Sequence, residues 1–264
     1  MTSARDLADQ FHRRWLEEHP FAATSYGIPG YDDLVPDESE DGERSWRAES
    51  AQILAEASAL AGEQLTPADT VTLDCVQEAA RQEIDAIDMA QTEYTVTAMQ
   101  YSGPASFLSI AARTVLVDAA AADAYLARLR RSGTWIDQIR ERLRAGARKG
   151  RLPVAPLAEQ AIIWAEGLLA SPGTSPVLSP RPPQGWPGAG AWESERRAIA
   201  ETVVHPALAR WVETIRELLP QARSSEQAGL IHLPGGEEDY ARAIRISTTL
   251  SLSPQELRQT GLRQ

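Results

Sequence analysis

Apolar residues recur at three- and four-residue spacings along most of the chain, the period of a helix that buries one face. Leu7, Phe11 and Trp15 repeat every four positions behind Ser3-x-x-Asp6, a capping signature, and Pro20 ends that segment. Trp46, Ile53, Ala57 and Leu60 mark a second helix. Thr66-Pro67-Ala68-Asp69 starts a third with Pro at its first position, and Leu73, Val76, Ala80, Ile84 and Ile87 carry it for about six turns. Asp118 caps a helix bearing Tyr125 and Leu129, and Trp135, Ile139 and Leu143 carry the next one, closed by Gly150 and Pro153. Leu157, Ala161, Trp164 and Leu168 form a further stripe. A helix from about Trp192 to Leu219 is expected to kink near Pro206, whose ring removes a donor and crowds the preceding turn.

Three stretches break the pattern. "SYGIPGYDDLVPDESEDGE" reads as a loop rich in Gly, Pro and acids, its acidic run most simply a solvated surface. "TEYTVTAMQY" alternates β-branched and aromatic residues, which predicts an extended segment, and Gly103-Pro104 punctuates it. "SPGTSPVLSPRPPQGWPGAGAW" is too crowded with Pro and Gly for regular structure, and long loops of this kind are functional or disordered. The organisation expected is therefore a helical region at 1–170, a Pro/Gly-rich loop at 171–192, and a helical segment at 193–264 with an LPGG turn. That last segment ends on Ser253-Pro254-Gln255-Glu256, a Ser cap, a Pro and a Glu that closes a capping box. Leu257, Thr260 and Gly261 barely sketch a helical face before the sequence stops at Gln264, and so short a helix is marginal in water unless packed. The fold class expected is mainly α, with at most short extended segments.

Composition narrows the function. Of 264 residues, 43% are apolar and 24% charged, as in an ordinary globular protein. The net charge of −11 argues against a broad electrostatic grip on nucleic acid or anionic lipid. No stretch reaches membrane-spanning length and the first twenty residues hold no signal-type apolar run, so a cytoplasmic location is expected. The single cysteine, Cys75, excludes an intrachain disulfide, and its place in a helical pattern predicts a buried, inert thiol.

Candidate chemistry is sparse. A helix-borne zinc site needs two His one turn apart, and His12, His19, His205 and His232 offer no such pair, so no metal site is read from this chain. G-x-S-x-G is absent, and no sequence spacing ties Cys75 to a histidine. Gly235-Gly236 lacks both the Lys-Ser/Thr of a phosphate loop and a dinucleotide spacing. It reads as a tight left-handed turn, with close backbone approach to a peptide-like ligand as the functional alternative. Arg140, Arg144, Arg148, Lys149 and Arg151 lie partly along one face, either hydrated or holding a carboxylate.

From His205 onward, "HPALARWVETIRELLPQARSSEQAGLIHLPGGEEDYARAIRISTTLSLSPQELRQTGL" resembles the bacterial domain-of-unknown-function 885 family. The elements that carry the likeness are Pro206, Gly229-Leu230, Leu233-Pro234-Gly235-Gly236, Tyr240, Thr248-Thr249, Ser253-Pro254-Gln255-Glu256 and Gly261-Leu262. Upstream, "HPFAATSYGIPGYDDLVPD", Ser102-Gly103-Pro104, "YLARLR" and "GARKGRLPVAP" follow the same order, so the resemblance spans nearly the whole chain. Two positions depart from the family pattern: Ser247 stands where a His precedes the Thr-Thr pair, and Arg258 where a His follows the final Glu-Ile.

The resemblance implies a multi-helix array like the N-terminal part of a helical, thermolysin-motif-type zinc peptidase, with the H-E-x-x-P-G-H helix in a second half beyond Gln264. It implies zinc for the full-length family and no cofactor in this chain, no catalytic residue here, and a wall of a peptide-binding cleft at Gly235, Gly236 and Tyr240. The partners it implies are a peptide-like substrate and either a C-terminal half or a second copy of the chain, with no nucleic acid and no membrane. The rival expectation is a stand-alone helical binding or scaffold module.

Overall fold

The computed structural model describes residues 3–62, 65–100 and 103–263. Tyr101 and Ser102, the last residue of the segment expected to be extended and the first of the Ser-Gly-Pro motif, lie outside them, as does Gln264. The helices run in order α1 (Ala4–Glu18), α2 (Pro20–Tyr26), α3 (Glu40–Leu60), α4 (Pro67–Asp88), α5 (Gly103–Arg113), α6 (Ala119–Arg148), α7 (Ala155–Ala170), α8 (Ala189–Ile199), α9 (His205–Leu218), α10 (Gly236–Thr248) and α11 (Pro254–Arg263). No strand occurs among the described residues, only an isolated bridge between Val154 and Arg223. The fold is all-helical.

The chain forms two compact units that interleave along the sequence: residues 1–15, 40–91 and 228–264 make one, and residues 16–39 and 92–227 the other. This division cuts across the linear one at 171 and 192, because helices distant in sequence share each core.

The larger unit is built around α6. The sequence pattern predicted two helices here, but a single helix of 30 residues runs from the Asp118 cap through Gly133 to Arg148. Gly133 interrupts the apolar pattern without breaking the helix, since it is the point of closest packing: a Cβ there would lie 2.8 Å from Val203 Cγ1. Leu129, Ile136, Leu143, Leu208, Trp211 and Ile215 form the buried seam of α6 with α9. Between α8 and α9, just ahead of the Pro206 where a kink was expected, a π-turn at Ala200–Val204 carries the chain into α9 without a break.

The segment 171–192 is ordered, not irregular throughout. It contains 3-10 turns at Pro172–Thr174 and Pro176–Leu178, and Tyr125 donates its hydroxyl to the Val177 carbonyl at 2.9 Å. Arg196 donates to the Pro180 carbonyl and stacks on Trp192 at 4.6 Å. The stretch from Thr92, expected to be extended, continues a 3-10 turn (Gln91–Glu93) and buries Glu93, Tyr94 and Val96. Glu93 is held by Lys149 at 2.5 Å, Arg142 at 3.4 Å and Arg151 at 3.5 Å. Its own carbonyl sits 2.2 Å from where a Cβ of Gly146 would be, so only glycine fits that turn of α6.

The smaller unit packs α1, α3 and α4 through Leu7, Phe11, Trp46, Ile53, Leu73 and Val76. Ser3 and Asp6 cap α1 reciprocally at 3.1 Å, and Thr66 caps α4 by accepting from the Asp69 amide at 3.2 Å. One carboxylate, Glu83, accepts both indole N–H groups, Trp15 and Trp46, each at 2.8 Å. Fork-to-carboxylate pairs join the helices: Arg47 of α3 to Asp88 at 2.6 and 2.9 Å, and Arg245 of α10 to Asp85 at 2.6 Å. Cys75 is exposed, contrary to the buried thiol expected, because Leu73, Val76 and Ala80 define the packed face of α4 and position 75 falls off it. Leu157 likewise is 42% exposed, while Ala158, Ala161 and Ala165 are the residues that pack α7.

Candidate functional site

A cleft of about 730 Å³ lies within the larger unit. One wall is the "SYGIPGYDD" loop. Gly27 closes α2 in the left-handed region (φ 71°), with the Ile28 amide returning to the Ala23 carbonyl at 2.9 Å, and Gly30 turns again at φ 97°. The loop is pinned from behind by Arg128 of α6, which is 1% exposed. Its guanidinium donates to the carbonyls of Leu34 (2.8 Å), Tyr31 (2.6 Å) and Pro20 (3.4 Å), and lies 5.6 Å over the Phe21 ring. Burial pushes Arg128 down to about 10, with Asp32 and Asp33 opposing the shift.

The opposite wall is the end of α5, the linker through Asp118 and the first turns of α6. Tyr26, Val115 and Val117 are 70%, 76% and 77% exposed and all line this cleft, an unusual convergence of large apolar side chains in water. Asp32 accepts the Thr24 hydroxyl at 2.6 Å, Asp33 pairs with Arg131 at 2.6 Å, and Asp118 caps α6 through the Ala121 amide at 2.8 Å. Arg113 is the cation of the lining. The cleft has the features of a preformed binding surface: an immobilised loop, apolar walls and a few charges.

Gly235, Gly236 and Tyr240 come together at the start of α10 in the smaller unit and are not part of that cleft's lining. Gly235 caps the helix at φ 74°, as the turn chemistry predicts. Gly236 is buried, and a Cβ there would stand 1.7 Å from the Leu230 carbonyl, so the close backbone approach it permits is to the chain's own 3-10 turn at Leu230–His232. Tyr240 is 43% exposed, next to buried Asp239, which pairs with Arg242 at 3.1 Å. A shallower groove of about 610 Å³ in the same unit is lined by Val71, Asp74, Cys75 and Thr249, the last in the left-handed region at φ 58°.

The basic face of α6 is tied into ion pairs. Arg140 holds Asp137 and the Arg210 carbonyl, and Arg144 bridges Glu141 and Glu217. As for zinc, no group of three or more His, Cys, Asp or Glu among the described residues could hold a metal ion, so the residues present do not fit one. No described helix is long and apolar enough to cross a membrane.

The cleft residues were missed by sequence reading because their two walls are about ninety positions apart. The local signals that could have flagged them are the paired glycines of "YGIPG" and the alternation of Val115 and Val117 around buried Leu116.

Solved structures that share this fold include two described as "putative lipoproteins". A "putative lipoprotein" from Colwellia psychrerythraea matches with a TM-score of 0.79 at 21% identity, over 100% of this chain and 49% of its own. A "putative lipoprotein of unknown function" from Shewanella oneidensis matches with a TM-score of 0.67 at 14% identity, over 99% of this chain and 45% of its own. The chain thus spans about half the length of the solved structures it matches. None of the curated proteins matches it. The sequence profile of a bacterial protein family of unknown function, DUF885, matches residues 20–264, and the chain belongs to that family.

Proposed function

We propose that this chain is the non-catalytic N-terminal portion of a metallopeptidase-like protein and supplies walls of a peptide-binding cleft, while the metal chemistry belongs to further chain packed against it. The observation that carries this reading is α11. It has a complete capping box, with the Ser253 amide donating to Glu256 at 2.8 Å and the Glu256 amide to Ser253 Oγ at 3.2 Å. Yet every residue from Pro254 to Arg263 is exposed, Leu257 and Leu262 among them. A helix of 10 residues without a packed face is marginal in water, so one this well capped calls for a partner to cover it. The extra length of the similar solved structures supports the same reading. Gly235, Gly236 and Tyr240, just ahead of α11, are the residues proposed as cleft wall on that side.

The larger unit favours a second reading, a stand-alone helical binding module, because its core and its 730 Å³ cleft are complete within itself. Three measurements on the purified 264-residue chain separate the readings. The first reading predicts no zinc-dependent peptide hydrolysis, binding of an apolar dye in the folded state, and self-association at high concentration. Peptide hydrolysis on adding zinc contradicts it. A monodisperse chain that ignores the dye favours the module.

A further inference from the structure

We propose that a second copy of the chain covers α11 by exchange: α11 of each protomer seats on the exposed face of α4 of the other. This rests on the reading that α11 calls for a cover, and it names the cover available to the isolated chain. Leu257, Arg258, Gly261 and Leu262 share one face of α11, and all four are exposed. Nothing lies within 4 Å of where a Cβ of Gly261 would stand, so a partner helix can come close there.

The seat is the 610 Å³ groove of the same unit. Val71, Asp74 and Cys75 present it from one face of α4 and all are exposed, Val71 at 62%. Two uncovered helix faces, each with apolar side chains in water, thus stand on one unit, and their charges match. Glu78 in the groove is balanced by Arg81 at 3.9 Å, which leaves Asp74 as the groove's unpaired charge among the described residues. Arg258 is the unpaired charge on the face of α11. It lies between Leu257 and Leu262, and Asp74 beside Val71 and Cys75, so burying the apolar groups brings the two charges together. Because one chain carries both surfaces, two copies related by a two-fold axis fill both seats at once and the pairing closes at the dimer. Two helices of 10 residues bury on the order of 1,000 Å², a weak and transient contact, so the dilute chain keeps α11 bare.

The test is sedimentation velocity of the intact chain from about 1 to about 300 μM, with the reaction of Cys75 with a chromogenic disulfide followed over the same range. A monomer is expected at the low end and mostly dimer at the high end, where the thiol should react several-fold more slowly because α11 of the partner lies over it. Asp74→Arg and Arg258→Asp, both at exposed positions, should each weaken association about ten-fold, since each sets like charges in both seats. An equimolar mixture of the two variants should restore it, because every seat then pairs an arginine with an aspartate, and circular dichroism confirms the helix content of each. Association that neither variant weakens, or that the mixture fails to restore, overturns the exchange and leaves the reading of an uncovered α11 standing. So does a chain that stays monomeric yet binds the apolar dye. A chain that stays monomeric and ignores the dye overturns both.

Discussion

The two units bury their helices by different means. In the larger, α6, α7, α8 and α9 enclose a continuous apolar interior with aromatic contacts such as Phe21 on Trp135 at 5.3 Å and Trp164 on Trp211 at 6.5 Å. In the smaller, a modest cluster among α1, α3 and α4 is supplemented by directed polar contacts: Glu83 between two indoles, Arg47 with Asp88, and Arg245 with Asp85. Beyond that cluster, α10 joins α4 through the Arg245–Asp85 ion pair and buries the single large apolar residue Ile244, and α11 has no buried residue at all. Burial scales with apolar area, whereas partly exposed ion pairs contribute little each, so stability should be concentrated in the larger unit.

The strongest way to break this contrast is Phe107→Ala. Phe107 is fully buried against Phe21 and Trp135, and its loss should cost about 3–5 kcal/mol, read as a lower urea midpoint for the larger unit. Next is Gly236→Ala in the smaller unit. The new methyl would meet the Leu230 carbonyl, which must move, and about 1–3 kcal/mol of destabilisation is expected in the same assay. A smaller or absent loss would mean that the turn before α10 is soft.

Acidification sharpens the comparison. The Arg47 hydrogen bond holds the Asp88 carboxyl below the usual aspartate value in the smaller unit, against the opposing effect of burial. In the larger unit burial would raise Asp137, but hydrogen bonds from Arg210 and Arg140 outweigh it and hold it low. A folded value below the unfolded one means that the stabilisation is full above the ordinary aspartate range and is lost as pH falls through it, below about 4. The larger unit has an earlier step. Burial lowers His205, with Glu201 opposing, so the unfolded chain takes up the proton first and stability declines as pH drops below about 6.5. Urea midpoints across this range should show the step near neutrality for the larger unit and its loss in His205→Gln. The smallest effect expected is at α11: Leu257→Ser should change the unfolding free energy by less than about 0.5 kcal/mol, since that side chain belongs to neither apolar core.

Local chemistry was readable in the chain. The Ser3, Thr66, Asp118 and Ser253 caps form hydrogen bonds of the kind their spacing predicts, and the stripes through Leu7–Phe11 and Leu73–Val76–Ala80 are buried. Non-local packing was not. The two helices expected on either side of Gly133 are one, with that glycine a contact point for Val203, and Pro-rich 171–192 is held partly by Tyr125, about fifty residues earlier in the chain. Cys75 lies off the Leu73–Val76–Ala80 stripe, so its exposure follows from the periodicity and the expectation of a buried thiol was a misreading of that pattern. The cleft was the least legible feature, because Arg128, which fixes it, looks like any other arginine on an amphipathic helix until its partners at Pro20, Tyr31 and Leu34 are seen.

Native-state hydrogen exchange, resolved to peptides, tests the contrast most directly. Amides of α6 and α9 should exchange only through global unfolding, those of α10 through a smaller opening, and those of α11 at close to the rate of an unstructured chain. Protection of α11 as strong as that of α6 in the isolated chain would contradict the account, since it would mean that α11 is already covered.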